Sequence, residues 1–250
     1  MKTGFWNKKV VHDNDANDMM RIINDASPFA IKEAFKTLYT NVLYLNIEDK
    51  CKKIAVTSAL SGEGKTFLST NLAVTLAQNA SDAKVLLIDT DMRQPRVSAL
   101  LELDKESHGL SEYLAGIDET PNLVYVPARK LTVLSAGANN INPTKLIGSK
   151  RMANLMESLE EEFDYIIIDT PPVNIVSDAI LLNEHVNGYI LATRADYSDV
   201  KSVNEALAHL NQINAEIYGI VLTSVNLKTI GYGKHSGKYS TSKYGKYANE

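Results

Sequence analysis

The chain has 250 residues, 44% of them apolar, which is enough to fill a sizeable core. Its formal net charge of −4 excludes a protein that coats nucleic acid through overall positive charge. Cys51 is the single cysteine, so an intramolecular disulfide is excluded and a reducing, cytoplasmic compartment is expected. The first residues lack the apolar core of a signal peptide, and no run approaches the ~18 apolar residues of a membrane span.

Composition divides the chain into three parts. Residues 1–26 mix Asn, Asp and Lys with few apolar positions, which predicts a flexible N-terminal segment. Residues 27–225 carry the periodic apolar pattern of a single folded domain. From residue 226 onward Gly, Ser, Lys and Tyr replace that pattern, which predicts a disordered, tyrosine-rich tail over residues 226–250.

Strand and helix patterns alternate within the domain. Ser27 and Pro28 favour the start of a first helix, whose apolar residues recur at helical spacing as far as Leu45. Later apolar runs predict the strands "IAVTSAL", "KVLLID", "LTVLSAG", "YIIIDTPP", "GYILATR" and "IYGIVLTSV". Helical periodicity marks "KTFLSTNLAVTLAQNA", "RMANLMESLEEEF" and "VKSVNEALAHLNQ". Strands that are apolar throughout are typical of a sheet covered on both faces, so the predicted fold is α/β with a doubly wound, mostly parallel sheet.

The stretch "ALSGEGKTF", Ala59–Phe67, lies between a predicted strand and a predicted helix. It fits the phosphate-binding P-loop pattern G-x-x-x-x-G-K-[ST], except that Ala59 replaces the first glycine. Glycines let phosphates approach the backbone amides, Lys65 is suited to bridge the outer phosphates, and Thr66 is suited to ligate Mg²⁺. The predicted ATP-binding residues are Ser61, Gly62, Glu63, Gly64, Lys65, Thr66 and Phe67. The alternative is a glycine-rich turn that happens to precede a lysine.

Two further predicted strands end in acidic residues. One runs into Asp89, followed by Asp91, and the other runs into Asp169. Open parallel sheets bind ligands at the carboxyl ends of their strands, so the three acids are expected beside the phosphates, where carboxylates suit Mg²⁺. The alternative for each aspartate is a helix cap or turn former. Two such strands beside a P-loop favour metal-assisted phosphate chemistry.

The P-loop, "LLIDTDMRQP" and "FDYIIIDTPP" together resemble the Walker A, Walker A′ and Walker B motifs of bacterial tyrosine kinases, which are relatives of the MinD/ParA ATPases. The likeness runs from about Ser27 to Val225 and extends to "HGLSEYLAG", "INPTKLIGS" and "VSDAILL". The D-x-D-x-R-x-P form discriminates most, and Leu60 stands where partitioning ATPases usually carry an extra lysine. Without a membrane span, the chain is similar to the separate-chain capsule and exopolysaccharide kinases of the CpsD/CapB type.

The resemblance implies an ATP-dependent protein-tyrosine kinase with Lys65, Asp89 and Asp91 as catalytic residues. Lys65 would contact the β- and γ-phosphates, and Asp89 is the first choice for the group that accepts the tyrosine proton. Mg²⁺ would be held by Thr66, Asp89 and Asp169. The exposed tail tyrosines are the expected phosphoacceptors, modified in trans by another copy. These tyrosines are Tyr232, Tyr239, Tyr244 and Tyr247.

The resemblance also implies partners and a cellular role. It implies a membrane adaptor of the polysaccharide co-polymerase type, a cognate tyrosine phosphatase, and self-association, with no nucleic acid expected. The kinase would lie in the cytoplasm, at the inner face of the membrane through the adaptor, and regulate capsular or exopolysaccharide synthesis and export.

Two positions depart from the family pattern. The self-association motif E-x-x-R-x-x-R reads Glu33, Lys36 and Tyr39 here, and neither Lys nor Tyr reproduces the two-pronged pairing of Arg, which weakens the inference to a ring oligomer. The alternative is an ordinary amphipathic helix that packs on its own domain. Thr223 stands where relatives often place an Asn near the adenine, so no residue is assigned to the base.

Other functions use the same motifs. A MinD/ParA-type ATPase switch would spend ATP on water to control membrane or DNA association. A small-molecule P-loop kinase ranks last, because no dedicated acceptor pocket is visible. The tail has two alternatives: a solvated end of low complexity, or a contact with an anionic membrane through four lysines against one glutamate from Gly231 onward, until phosphorylation cancels that charge.

Overall fold

The computed structural model describes residues 9–10, 22–103, 108–138 and 142–225. The predictions for the tail and its four tyrosines lie outside these residues, as does most of the predicted N-terminal segment. The described strands are β1 Lys9–Val10, β2 Lys52–Ser58, β3 Val85–Asp89, β4 Val124–Val126, β5 Leu131–Leu134, β6 Tyr165–Asp169, β7 Gly188–Arg194 and β8 Ile217–Thr223. The described helices are α1 Phe29–Leu43, α2 Lys65–Asn79, α3 Val97–Leu100, α4 Leu110–Ala115, α5 Pro143–Ile147, α6 Lys150–Glu160, α7 Asp178–Leu181 and α8 Val200–Gln212. No helix in this part of the chain has the length and apolar character needed to cross a membrane.

One sheet joins all the described strands in the order β1-β4-β5-β3-β6-β2-β7-β8. Its pairs are parallel except for β4 with β5, which confirms the predicted α/β fold with a mostly parallel sheet. All the predicted strands are present. Strands β1 and β4 were not predicted, because two or three residues are too few to show a pattern.

Both faces of the central strands are buried. In β2, Ile54 and Val56 face the side covered by α1 and α2, whereas Ala55 faces the side covered by α7 and α8. In β6, Ile166 and Ile168 face the α4–α6 side, and Ile167 faces α2. Because every position of such a strand is covered, its sequence is apolar throughout.

Strand β8 differs from that expectation. Ile220 is 48% exposed and Leu222 is 60% exposed, although the apolar run predicted burial on both faces. The prediction is wrong at these two positions: β8 is the last of the described strands in the sheet order, and its faces are covered less completely than those of the central strands.

Packing of the domain begins before the predicted boundary at residue 27. Ile22 is buried in the core beside α1 and α2, and the backbone N–H of Ile23 donates to Asn71 Oδ1 at 2.7 Å. Helix α1 begins at Phe29 with Pro28 as its cap residue, so the predicted first helix is confirmed. The Ser27 hydroxyl accepts a hydrogen bond from the Asn24 backbone and does not cap α1.

Helix α1 carries the sequence that departs from the self-association motif. Lys36 Nζ lies 3.0 Å from Glu33 Oε1 on its exposed side, while Tyr39 packs against the core that α1 and α2 share. The Phe35 ring meets the Phe67 ring of α2 edge-on, with centroids 5.8 Å apart. Helix α1 therefore packs on its own domain and keeps a polar pair at the surface.

The packing of Tyr189 yields a stability prediction. This side chain is fully buried in β7, and its hydroxyl donates to the Ala179 carbonyl at 2.8 Å. Tyr189→Phe should lower the free energy of unfolding by about 1–2 kcal/mol, because a buried acceptor loses its donor. The control Tyr44→Phe changes a side chain that is 83% exposed and should leave stability within about 0.5 kcal/mol. Urea denaturation measures both, and equal stabilities of the two variants would contradict the prediction.

Candidate functional site

The P-loop backbone takes a shape that depends on its glycines. Gly62 and Gly64 have φ angles of +82° and +86°, a region that residues with side chains rarely adopt. A Cβ at Gly64 would also lie 3.1 Å from Thr223 Oγ1. Gly64 is the cap residue of α2, so the first amides of that helix open towards the loop. A backbone of this kind with a helix N-terminus forms an anion site.

Lys65 and Thr66 each meet an aspartate from a different strand end. Lys65 Nζ lies 2.9 Å from Asp91 Oδ2, and Thr66 Oγ1 donates to Asp169 Oδ2 at 2.7 Å. Lys65 and Thr66 are both only 8% exposed. The structure therefore brings the predicted lysine, hydroxyl and carboxylates together at the carboxyl edge of the sheet.

Asp89 lies beside Asp169 in the strand register and is fully buried. Its Oδ1 accepts the Asp91 N–H at 3.0 Å, and its Oδ2 accepts the N–H groups of Val97 at 3.1 Å and Arg96 at 3.2 Å. Asp89 therefore stabilises a turn, which was the alternative considered for it. It also lies beside Asp169 in the carboxylate cluster.

Burial and mutual repulsion shift the ionisation of the cluster. Loss of solvent and the neighbouring Asp169 raise the pKa of Asp89 well above its usual range, against the opposing hydrogen bond from Val97. Loss of solvent raises the pKa of Asp169 to about 6, although Lys65 and Thr66 act in the other direction. Burial alone would lower the pKa of Lys65, but the carboxylates of Asp169 and Asp91 outweigh it and raise that pKa. Perturbed groups of this kind are concentrated at functional sites.

One oxygen of the cluster lacks a partner. Asp169 Oδ1 is buried and has no hydrogen-bond partner among the residues that the structure describes, while Oδ2 accepts from Thr66. A buried carboxylate oxygen without a donor is costly unless it meets a cation or water. Hydroxyl and carboxylate oxygens are ligands that suit Mg²⁺, so the residues present fit that ion.

A cavity of about 410 Å³ opens over the P-loop. Its lining residues are Ser61, Gly62, Gly64, Lys65, Thr66, Phe67, Gln94, Arg96, Ala99 and Leu100. Of the predicted ATP-binding residues, Glu63 is the one that does not line it. Gln94 and Arg96 were not predicted, although Gln94 lies within the stretch that resembles Walker A′ and Arg96 follows it directly.

Glu63 points away from the cavity into a fully buried position. Its carboxylate accepts from the Leu60 backbone at 2.6 Å and from the Ser198 hydroxyl, and its carbonyl accepts from Thr223 Oγ1 at 2.6 Å. Thr223, which stands at the position where relatives often place an Asn, therefore supports the P-loop backbone.

The loop between β7 and α8 makes further contacts with the P-loop. The Tyr197 hydroxyl donates to the Ser61 carbonyl at 3.2 Å, and Arg194 Nη1 donates to the Gly62 carbonyl at 3.3 Å. The Arg194 guanidinium also lies over the Tyr197 ring, 5.2 Å from its centroid. Sequence reasoning missed these residues because their partners are far away along the chain.

Comparisons with known proteins agree with this geometry. The family described as AAA domain matches residues 51–221. The tyrosine-protein kinase CpsD of Streptococcus pneumoniae is 36% identical over 78% of this chain and 87% of its own. The putative tyrosine-protein kinase CapB of Staphylococcus aureus is 33% identical over 81% of this chain and 88% of its own. The kinase domain of Escherichia coli tyrosine kinase ETK superposes with a TM-score of 0.71 at 34% identity, covering 78% of this chain and 77% of that one.

The raised pKa of Asp169 predicts how stability depends on pH. A carboxyl whose pKa is higher in the folded chain contributes stability below its ordinary pKa, and this contribution is lost as pH rises through about 6. Above that pH, Asp169→Asn should therefore be more stable than the original chain without nucleotide, by roughly 1–2 kcal/mol. The gain should vanish in acid, and urea denaturation across the pH range measures it. A variant that is less stable at every pH would contradict this account.

Proposed function

The chain belongs to the bacterial tyrosine-protein kinases of the CpsD and CapB type, and we propose that it phosphorylates its own C-terminal tail. It is a protein-tyrosine kinase whose P-loop domain binds nucleotide and Mg²⁺. Two buried contacts beside the cavity support the proposal: the ion pair between Lys65 and Asp91, and the hydrogen bond from Thr66 to Asp169. Phosphoryl transfer is catalysed mainly by positioning and by neutralising charge, and these groups supply both.

We infer that Thr66, Asp89 and Asp169 hold Mg²⁺, with Asp169 acting through water. The unpartnered Asp169 Oδ1 and the adjacent Thr66 hydroxyl support this assignment. When bound, Mg²⁺ neutralises charge on the transferring phosphoryl group. Burial and the neighbouring carboxylates raise the pKa values of Asp89 and Asp169, and a cation held between them would lower those pKa values again.

In the proposed reaction, the Lys65 ammonium leaves Asp91 and contacts the β- and γ-phosphates of ATP instead. Asp91 then orients the γ-phosphate and the incoming tyrosine hydroxyl. Asp89 accepts the hydroxyl proton as the general base of this proposal. Tyrosine has a pKa of about 10, so it gives up its proton more readily than serine. The proposed ATP-binding surface is the cavity lining over the P-loop, with Glu63 acting from behind it.

The acceptors in this proposal are Tyr232, Tyr239, Tyr244 and Tyr247, in a polar stretch with four glycines from Gly231 onward. Flexible glycine-rich sequence would let the tail of one copy reach the P-loop of another. We further propose a membrane adaptor of the polysaccharide co-polymerase type, a cognate tyrosine phosphatase, and self-association through α1. The adaptor would place the kinase at the inner face of the cell membrane, where it would regulate capsular polysaccharide export.

The alternative is a MinD/ParA-type switch that spends ATP on water. Both reactions use the same P-loop, so the cavity geometry does not separate them. The named relatives are tyrosine-protein kinases, and Leu60 replaces the early P-loop lysine usual in the partitioning ATPases. These two facts favour the kinase.

Labelling with γ-labelled ATP and Mg²⁺ separates the two functions. The intact chain, with the cytoplasmic segment of its adaptor added, should carry label on tail tyrosines. Lys65→Met should reduce this labelling by about a hundredfold or more, because the phosphates lose their principal cation. Label found only as free phosphate would overturn the kinase proposal.

A mixture of two variants tests transfer in trans. One chain carries Lys65→Met with its tail intact, and the other is active but has Phe at all four tail tyrosines. The tail of the Lys65→Met chain should become labelled in the mixture and not alone. If the tail-Phe chain alone carries as much phosphotyrosine as the original chain, the acceptors lie elsewhere and the tail proposal fails.

A further inference from the structure

Arg93, Thr144 and Asp178 form a hydrogen-bonded network beside the active site, here called the Arg93 clamp. Arg93 Nε donates to Asp178 Oδ2 at 2.8 Å, and its Nη2 donates to Thr144 Oγ1 at 3.0 Å and to Asp178 Oδ1 at 3.3 Å. The Thr144 hydroxyl in turn donates to Asp178 Oδ1 at 2.6 Å. The three residues come from "DTDMRQP", "INPTKLIGS" and "VSDAILL", and none of them lines the cavity.

The ion pair between Arg93 and Asp178 differs from an ordinary surface salt bridge because its carboxylate is buried. The Asp178 side chain is 1% exposed, whereas that of Arg93 is 41% exposed. A surface pair contributes little to stability, but a buried carboxylate that loses its only charged partner in the network is strongly destabilising. The planar guanidinium bonds both Asp178 oxygens and Thr144 through two nitrogens in a fixed geometry, which the single ammonium nitrogen of a lysine does not reproduce.

The Arg93 clamp joins the loops that follow β3 and β6, the two strands that carry Asp89 and Asp169. Arg93 lies two residues after Asp91, and Asp178 begins α7 beyond the loop that follows Asp169. At the start of the first loop, the Thr90 hydroxyl donates to the Asp169 carbonyl at 2.7 Å. The loop is therefore attached to the β6 side both before and after Asp91.

Asp91 lies between these two attachments. Its Oδ2 contacts Lys65, and its Oδ1 accepts the backbone N–H of Gln94 at 3.0 Å. Gln94 lines the cavity. The side chain of Met92, between Asp91 and Arg93, is buried in the core on the α4–α6 side. Arg93 lies inside the turn that the Gln94–Asp91 hydrogen bond closes, so a shift of Arg93 would move Asp91.

We propose that Arg93 is a positioning residue for phosphoryl transfer, acting through the Arg93 clamp to hold Asp91 at a fixed place relative to Asp89 and Asp169. The proposal rests on the proposed function, because it assigns Asp91 to the γ-phosphate and the acceptor hydroxyl. The P-loop itself does not depend on the clamp, so ATP binding should be largely kept when the clamp is broken.

Kinetics of Arg93→Ala and Arg93→Lys give the first test. Arg93→Ala should lower kcat at least about tenfold while the KM for ATP changes by less than about threefold, since small misplacement of a reacting group is costly. Arg93→Lys should recover part of kcat, because a lysine keeps the charge but not the geometry. Arg151→Ala is the matched control, since it removes an arginine that stacks on Tyr113 and donates to the Asp118 carbonyl. Its kcat should stay within about twofold of the original chain.

The double variant Arg93→Ala/Asp178→Asn separates positioning from folding. Arg93→Ala alone leaves a buried carboxylate unpaired and should lower the Tm, whereas the added Asp178→Asn removes that charge and should restore the Tm. The kcat of the double variant should stay low, because the loop is still unattached. Recovery of kcat together with the Tm would overturn the proposal, as would an unchanged kcat in Arg93→Ala.

ADP formation and phosphotyrosine are measured in the same reactions. If the original chain forms ADP without phosphotyrosine, the proposal that it phosphorylates its tail fails. The proposal for Arg93 is then tested by the rate of ADP formation alone, and the same loss of rate is expected in Arg93→Ala and in the double variant. A loss of ATP binding equal to the loss of kcat would contradict a role confined to Asp91.

Discussion

Three buried aspartates around one buried lysine are the constraint on which the rest of this structure depends. Asp89, Asp91 and Asp169 have almost no contact with solvent, and Lys65 pairs directly with Asp91. Taking each carboxylate out of water costs on the order of several kcal/mol, and hydrogen bonds from backbone amides and Thr66 offset only part of that cost. The cluster therefore costs stability while no cation is bound, and Mg²⁺ held beside the carboxylates would supply the positive charge that lowers this cost.

The fold concentrates its supporting contacts around this cluster. The parallel register of β3 and β6 sets Asp89 beside Asp169, and the positive φ angles of Gly62 and Gly64 present the P-loop amides to the cavity. Behind the P-loop, Glu63 is held by the loop between β7 and α8 and by the end of β8. The Arg93 clamp holds the loop after β3, from which Gln94 lines the cavity. The P-loop and the loop after β3 are therefore each attached to another part of the domain.

Local sequence patterns predicted the architecture and the residues of the candidate site. The P-loop spacing and the strand-ending acids are short-range signals, so the sequence predicts that Lys65, Thr66, Asp89 and Asp169 lie close together. Pairings between distant segments leave no such signal: nothing in the sequence joins Glu63 to Ser198 or Arg93 to Asp178. The exposed face of β8 was missed for a related reason. An apolar run gives the same pattern in a central strand and at a sheet edge, and only the strand order distinguishes them.

Lys65 and the buried aspartates form a charge cluster that Mg²⁺ and ATP would complete. A crystal structure of the full chain with Mg²⁺ and a non-hydrolysable ATP analogue would show whether they do. We expect Lys65 Nζ to leave its present position 2.9 Å from Asp91 and contact the phosphates, with the ion beside Thr66 and Asp169. A nucleotide bound with the Lys65–Asp91 pair intact, or an ion bound away from Asp169, would contradict the account.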